Sequence, residues 1–89
     1  MNNISINKFC EDKNADYKNC MRIDFRKREA IHGFFVTATD YEDLKRKNFW
    51  RIVLMENLEK WLATRNLEFA KIFNGDDITK LSLLEKRKS

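Results

Sequence analysis

The chain is short of the residues that usually give a small protein its chemistry or its staples. In 89 residues there is no proline, and there are only two glycines (Gly33 and Gly75), two cysteines (Cys10 and Cys20) and one histidine (His32). Two Cys and one His fall short of a four-ligand zinc site without carboxylate help, so no metal and no cofactor is expected. His32 has no Ser, Cys or carboxylate pattern around it to activate a nucleophile, so a non-enzymatic protein is expected. No apolar run approaches the length of a bilayer span; the longest clusters are "FFV" and "IVLM". The start, "MNNISINKFC", lacks the charged-then-apolar order of a secretory signal. A cytoplasmic protein with reduced thiols and no membrane contact is the expectation, and one disulfide stays open as an alternative. Nor is there an excess of one charge sign. Eighteen Lys and Arg stand against fourteen Asp and Glu, a net of +4, mildly basic rather than histone-like.

What the chain does have is bulk. Its apolar content is 43% and its aromatic content 12%, a globular composition rather than a disordered one. A single domain of this length buries roughly 60% of its unfolded surface, so a partner or a second copy would add useful stability. With glycine so scarce, each one is expected to mark a backbone position that needs positive φ.

Alternation organises the middle of the chain. In "CMRIDFR" (20–26), Met21, Ile23 and Phe25 oppose Arg22, Asp24 and Arg26, the period of a half-buried strand. "AIHGFFVT" (30–37) is apolar on both faces, which predicts a more central strand, and Gly33 inside it predicts a bulge, a bend or the close approach of another backbone. "FWRIVLM" (49–55) reads as the third strand, with Trp50, Ile52 and Leu54 on one face. Between the second and third strands, Thr39 or Asp40 can cap a single helical turn.

Residues 56–73 support two readings. As one helix, Leu58, Trp61, Leu62, Phe69, Ile72 and Phe73 share a side, with Asn57 as a cap and Gly75 just past the end. The polar "TRN" at 64–66 argues instead for a break. A short helix over 57–64 would then precede strands over 67–73 and 77–83, joined at Asn74-Gly75, a strong hairpin signal because both residues accept φ > 0. The preferred fold is mainly β: a small five-stranded antiparallel barrel or bent sheet with a short inserted helix. The alternative is α+β with a long C-terminal helix. Residues 1–19 form a polar lead-in, partly helical or flexible, in which Ile6, Phe9, Cys10 and Ala15 have helical spacing. Residues 20–84 form the domain, and 85–89, "EKRKS", a basic tail. Gly33, Gly75 and Trp61 are structural candidates, with Trp61 closing one end of the barrel.

The order "MRIDF", "AIHGFFVTATD", "FWRIVL", "KIFNGDDITKL" resembles the short β-barrel of Sm-like proteins. Ile31, Gly33 and Asp40 match that family's first motif. Ile72, Asn74, Gly75, Ile78 and Leu81 match its second. The chain departs from the pattern at Asn74, where Arg is usual before the Gly, and in the inserted "MENLEKWLATRN". It also resembles a group of small bacterial proteins, of no assigned activity, that end in a similar "IFNG" hairpin. The Sm-like resemblance implies RNA binding near the second motif and assembly of copies.

"KRKNFWR" (45–51) is the most suggestive local feature. Lys45, Arg46, Lys47 and Arg51 flank Phe49 and Trp50; cations can neutralise phosphates while an aromatic stacks on a base. The competing reading is a solvated basic loop followed by two core aromatics. Arg22, Arg26, Lys27 and Arg28 would extend the patch if pairing brought them beside it; edge protection by charge is their ordinary role. Asp76 and Asp77 are read as turn-stabilising rather than metal-binding. Together these features predict a binding module for protein interaction or self-assembly as a homo-oligomer. RNA or single-strand binding through Lys45, Arg46, Lys47, Trp50, Arg51 and Asn74 is the alternative.

Overall fold

The alternating segments become strands: β1 (Met21–Phe25), β2 (Ile31–Phe35), β3 (Phe49–Leu54), β4 (Ala70–Asn74) and β5 (Ile78–Leu83). Helices α1 (Asn3–Asp12), α2 (Tyr41–Arg46) and α3 (Leu58–Thr64) complete the fold. The computed structural model describes residues 1–12 and 20–84. Ala15 and the basic tail at 85–89 therefore lie outside the described residues.

The five strands form one antiparallel sheet in the order β4-β3-β2-β1-β5. This corrects the expected hairpin. β4 and β5 follow one another in sequence but occupy opposite edges of the sheet, and Asn74-Gly75 is not a reversal between paired arms. Asn74 is extended (φ −81°, ψ 121°), and Gly75–Asp77 form a 3-10 turn. Neither glycine has positive φ, which corrects the expectation that either needs it; Asn48 (φ 63°) and Arg65 (φ 53°) do.

The crossing dictates the shape of the sheet. Four residues reach at most about 14 Å, whereas four inter-strand steps in a flat sheet span about 19 Å. The sheet must curl until its two edges face each other. Contacts across the curl agree: the rings of Phe25 on β1 and Phe73 on β4 lie 5.3 Å apart although their strands are not neighbours. Among the described residues no ladder joins β4 to β5, so the sheet is an open curl and not a closed barrel.

All five strands contribute to the concave face. Met21, Ile23, Phe35, Trp50, Ile52, Ile78 and Leu81 are buried there with Ile6 of α1, and Phe9, Cys10, Tyr41 and Phe73 pack around them. Ile78 and Leu81, three apart, both point inward because the β1–β5 register shifts between Asp24 and Phe25, leaving Thr79 as the extra residue of a bulge. The convex face holds a second core of Phe34, Val36, Val53, Ala70 and Trp61. Trp61 thus does not close an end of a barrel; α3 lays it on the outside of the sheet.

The long-helix alternative fails where "TRN" predicted a break. Arg65 is left-handed and its N–H bonds to Trp61 O at 2.7 Å, ending α3. Asn66 Oδ1 then accepts from Glu68 N (2.9 Å), capping a 3-10 turn over Leu67–Phe69, so β4 starts at Ala70 rather than 67. The expected caps at Asp40 and Asn57 make no side-chain cap hydrogen bond.

Candidate functional site

The basic stretch ahead of β3 is organised by α2 and by the turn that follows it. Glu42 and Asp43 stand one helical turn before Lys45 and Arg46, and both pairs close as ion pairs, Lys45–Glu42 at 3.0 Å and Arg46–Asp43 at 2.9 Å. Lys45 Nζ also lies 5.4 Å from the centre of the Tyr41 ring. Lys47 is exposed. Trp50 is 1% exposed, so its ring cannot stack on a base. It meets Phe35 and Tyr41 edge-on in the concave core, and its Nε1 donates to Asn48 Oδ1 at 2.8 Å. Of the six residues expected to bind nucleic acid or a partner, only Lys45, Arg46 and Lys47 sit together with cationic groups near the surface.

Arg51 is committed elsewhere. It donates through Nε (3.3 Å) and Nη2 (2.8 Å) to the two carboxylate oxygens of Asp40, a fork that ties the start of α2 to β3. The hydrogen bond from Arg51 holds the Asp40 carboxyl below its ordinary value, against some desolvation and with help from the opposite charge. As the pH falls, the unfolded chain protonates first at Asp40. The pair's contribution is therefore present above the ordinary Asp value of 3.8 and disappears as pH drops through the lower folded value. Melting temperatures measured from about pH 5 down to about pH 2 should fall less steeply for Asp40→Asn than for the parent. Parallel curves would remove this role.

The basic residues of β1 and of the turn after it are engaged away from residues 45–47. Arg22 pairs with Asp24 at 3.0 Å. Arg26 is drawn to the β4–β5 crossing: its N–H donates to Asp77 O (2.8 Å) and its Nη2 to Asp76 O (3.3 Å). Arg28 lies over both Phe25 (5.3 Å) and Phe73 (5.5 Å). Arg28 and the two rings, with Lys27, Asn74 and Asp77, line a groove of about 320 Å³. Asn74 Oδ1 accepts from Asp76 N (2.9 Å).

Asn48 was missed by sequence reasoning and is the hub of this region. In its left-handed conformation its Oδ1 accepts from Trp50, its Nδ2 donates to Met1 O (2.9 Å) and Asp76 Oδ1 (3.0 Å), and its carbonyl accepts from Gly75 N (2.7 Å). The α-ammonium of Met1 adds hydrogen bonds to the carbonyls of Gly75 and Ile78. An Asn between a helix and a strand is the signal that was available, since Asn adopts positive φ more readily than other residues with a Cβ.

Both cysteines are free. Cys10 packs on the concave core and Cys20 on the convex one, so the sheet stands between them. Burial pushes the Cys10 thiol up to about 12. His32 is exposed on β2. Among the described residues no group of three or more His, Cys, Asp or Glu could hold a metal ion. Among the same residues no helix is long and apolar enough to cross a membrane. No family model, no curated protein and no solved structure matches the chain.

Proposed function

We propose that the chain is a non-enzymatic binding module that recruits its partner, most directly another copy of itself, by strand addition at the open edges of the curled sheet. The observation that carries this is the strand order: among the described residues β4 and β5 both end the sheet, each with one side of its backbone unpaired by any other strand. Each edge also exposes a large apolar group, Ile72 (48%) on β4 and Leu83 (42%) on β5. Leu67, 39% exposed, sits in the turn that leads into β4. A β4 edge meeting the β5 edge of a second copy is a heterologous contact, which repeats from copy to copy and forms a ring where the rotation between copies closes. The five-stranded curled sheet supports the Sm-like reading at this level, and free cysteines suit a reducing compartment such as the cytoplasm. Lys71 and Lys80 limit how readily the edges pair indiscriminately.

Mass measured by light scattering across a wide concentration range tests the proposal. The parent should form a defined oligomer, and Ile72→Lys should weaken it at least about tenfold while leaving the melting temperature within a few degrees. A strict monomer at every concentration overturns it.

Single-strand nucleic-acid binding is the second reading, favoured by one observation. Arg28 presents a flat cation supported on two aromatic rings beside Lys27, a surface on which a base can stack. An oligonucleotide titration at two salt concentrations separates the readings. Salt-sensitive binding lost in Lys27→Ala/Arg28→Ala, or in Lys45→Ala/Arg46→Ala/Lys47→Ala, supports nucleic acid. No binding at low salt rejects it.

A further inference from the structure

Asn74-Gly75 is the only Asn-Gly step in the chain. In such a step the Gly amide nitrogen, unshielded by a side chain, can attack Cγ of the preceding asparagine. An N–Cγ bond forms, the Cγ–Nδ2 bond breaks, and the side-chain nitrogen leaves as ammonia. The attacking amide gives its proton to base, and a proton is returned to the leaving nitrogen. Water then opens the succinimide at either carbonyl to give aspartate or isoaspartate. The net change is amide plus water to carboxylic acid plus ammonia, with no redox partner.

Three things must be free for the ring to close: the Gly75 N–H, the Asn74 carboxamide and rotation about ψ of Asn74. The fold withholds all three. Gly75 is buried, and its N–H is held by Asn48 O at 2.7 Å. Asn74 Oδ1 is engaged by Asp76 N at 2.9 Å. The Asn74 backbone stays extended at ψ 121°, between its β3 ladder partner Phe49 and the 3-10 turn. The Asn48 side chain sits directly against Gly75, with its Oδ1 only 2.2 Å from where a Cβ would stand, and it is itself anchored by Trp50, Asp76 and Met1.

We propose that Asn74 is a latent self-modification site, silent while the β4–β5 crossing is closed and converted only when the crossing opens. Conversion to isoaspartate makes the change permanent. The main chain then runs through Cβ, one atom longer, and a new carboxylate joins Asp76 and Asp77, so the Gly75 N–H cannot return to Asn48 O in register. Asn74 thereby records the time the crossing has spent open. The inference is independent of what binds the sheet edges.

The test uses the full chain in mildly alkaline buffer. Conversion at Asn74 is followed by peptide mass mapping and isoaspartyl methyltransferase labelling, with and without denaturing urea, alongside hydrogen exchange of the Gly75 amide. Conversion should be slower in the native state by at least about tenfold and should rise in parallel with Gly75 exchange as low urea is added, since both need the same opening. Asp76→Ala, which removes one anchor of Asn48, should speed native conversion without changing the rate in full urea. Should that variant not fold, the parent's parallel between exchange and conversion still decides the matter. Equal rates in native buffer and urea, or conversion that ignores Gly75 protection, overturns the proposal.

Discussion

Replacing Gly33 with alanine should lower the melting temperature by roughly 12–24 °C, the shift that about 3 kcal/mol produces in a domain of this size. The position is intolerant for a reason that conformational preference does not capture. Gly33 does not need positive φ. It lies where β2 passes β3, opposite Leu54. A Cβ there would stand 2.5 Å from the Val53 carbonyl oxygen, 3.3 Å from its carbon and 3.1 Å from Ile52 Cγ2. The obstruction is backbone, so no rotamer change relieves it. The strands must separate, and the β2–β3 ladder has only three register pairs to lose. Against a total stability of about 4–13 kcal/mol for a chain this long, the loss is severe. Gly33→Val should do still more harm. A thermal melt by circular dichroism measures both, and an unchanged midpoint for alanine would mean the two backbones are not in contact.

Trp50→Ala should cost about 3–5 kcal/mol, a large share of the total stability of a chain this long. Trp50 is among the largest fully buried side chains, and it touches Phe35 and Tyr41 edge-on. Truncation leaves a cavity in the concave core and removes the donor held by Asn48 Oδ1. Trp50→Phe is the milder change: an aromatic ring stays in the core, while the indole N–H and the volume of the fused five-membered ring are lost, so its cost should be well below that of alanine. Urea titrations of the two variants should therefore give midpoints well separated from each other. The same experiment separates core from binding roles. A Trp50 that served to stack bases would tolerate alanine in the melt and lose affinity instead.

The legible and illegible parts of this molecule divide along a physical line. Met21 and Ile23 against Arg22, or Trp50 and Ile52 against Arg51, alternate because one side of a strand is dry, and that alternation reads directly from the chain. The break at Thr64–Asn66 was equally readable, since polar residues there interrupt an apolar stripe. The candidate site was less so. The expected cation cluster at 45–47 exists, but Arg51 belongs to Asp40, eleven residues earlier, and Trp50 faces inward. The sequence contained both charges of the first pair without indicating that they would meet. Asn48 looked like one more polar loop residue, and its hydrogen-bonded partners include Met1, Gly75 and Asp76 from distant parts of the chain as well as the nearby Lys45 and Trp50.

The crossing at Asn74-Gly75 shows the same division most clearly. Local chemistry determined that the chain must turn there and that two extended segments flank the turn. It also determined which side chains of β1 alternate toward a core, whereas on β5 the bulge that turns both Ile78 and Leu81 inward came from pairing with β1. Tertiary structure alone decided that those segments part to opposite edges, that the sheet curls to accommodate them, and that Gly75 is needed for the nearness of Asn48 rather than for a positive φ. The reason is that side-chain periodicity reports which face of an element is buried, whereas strand partners are chosen by hydrogen-bonding edges that every residue carries alike.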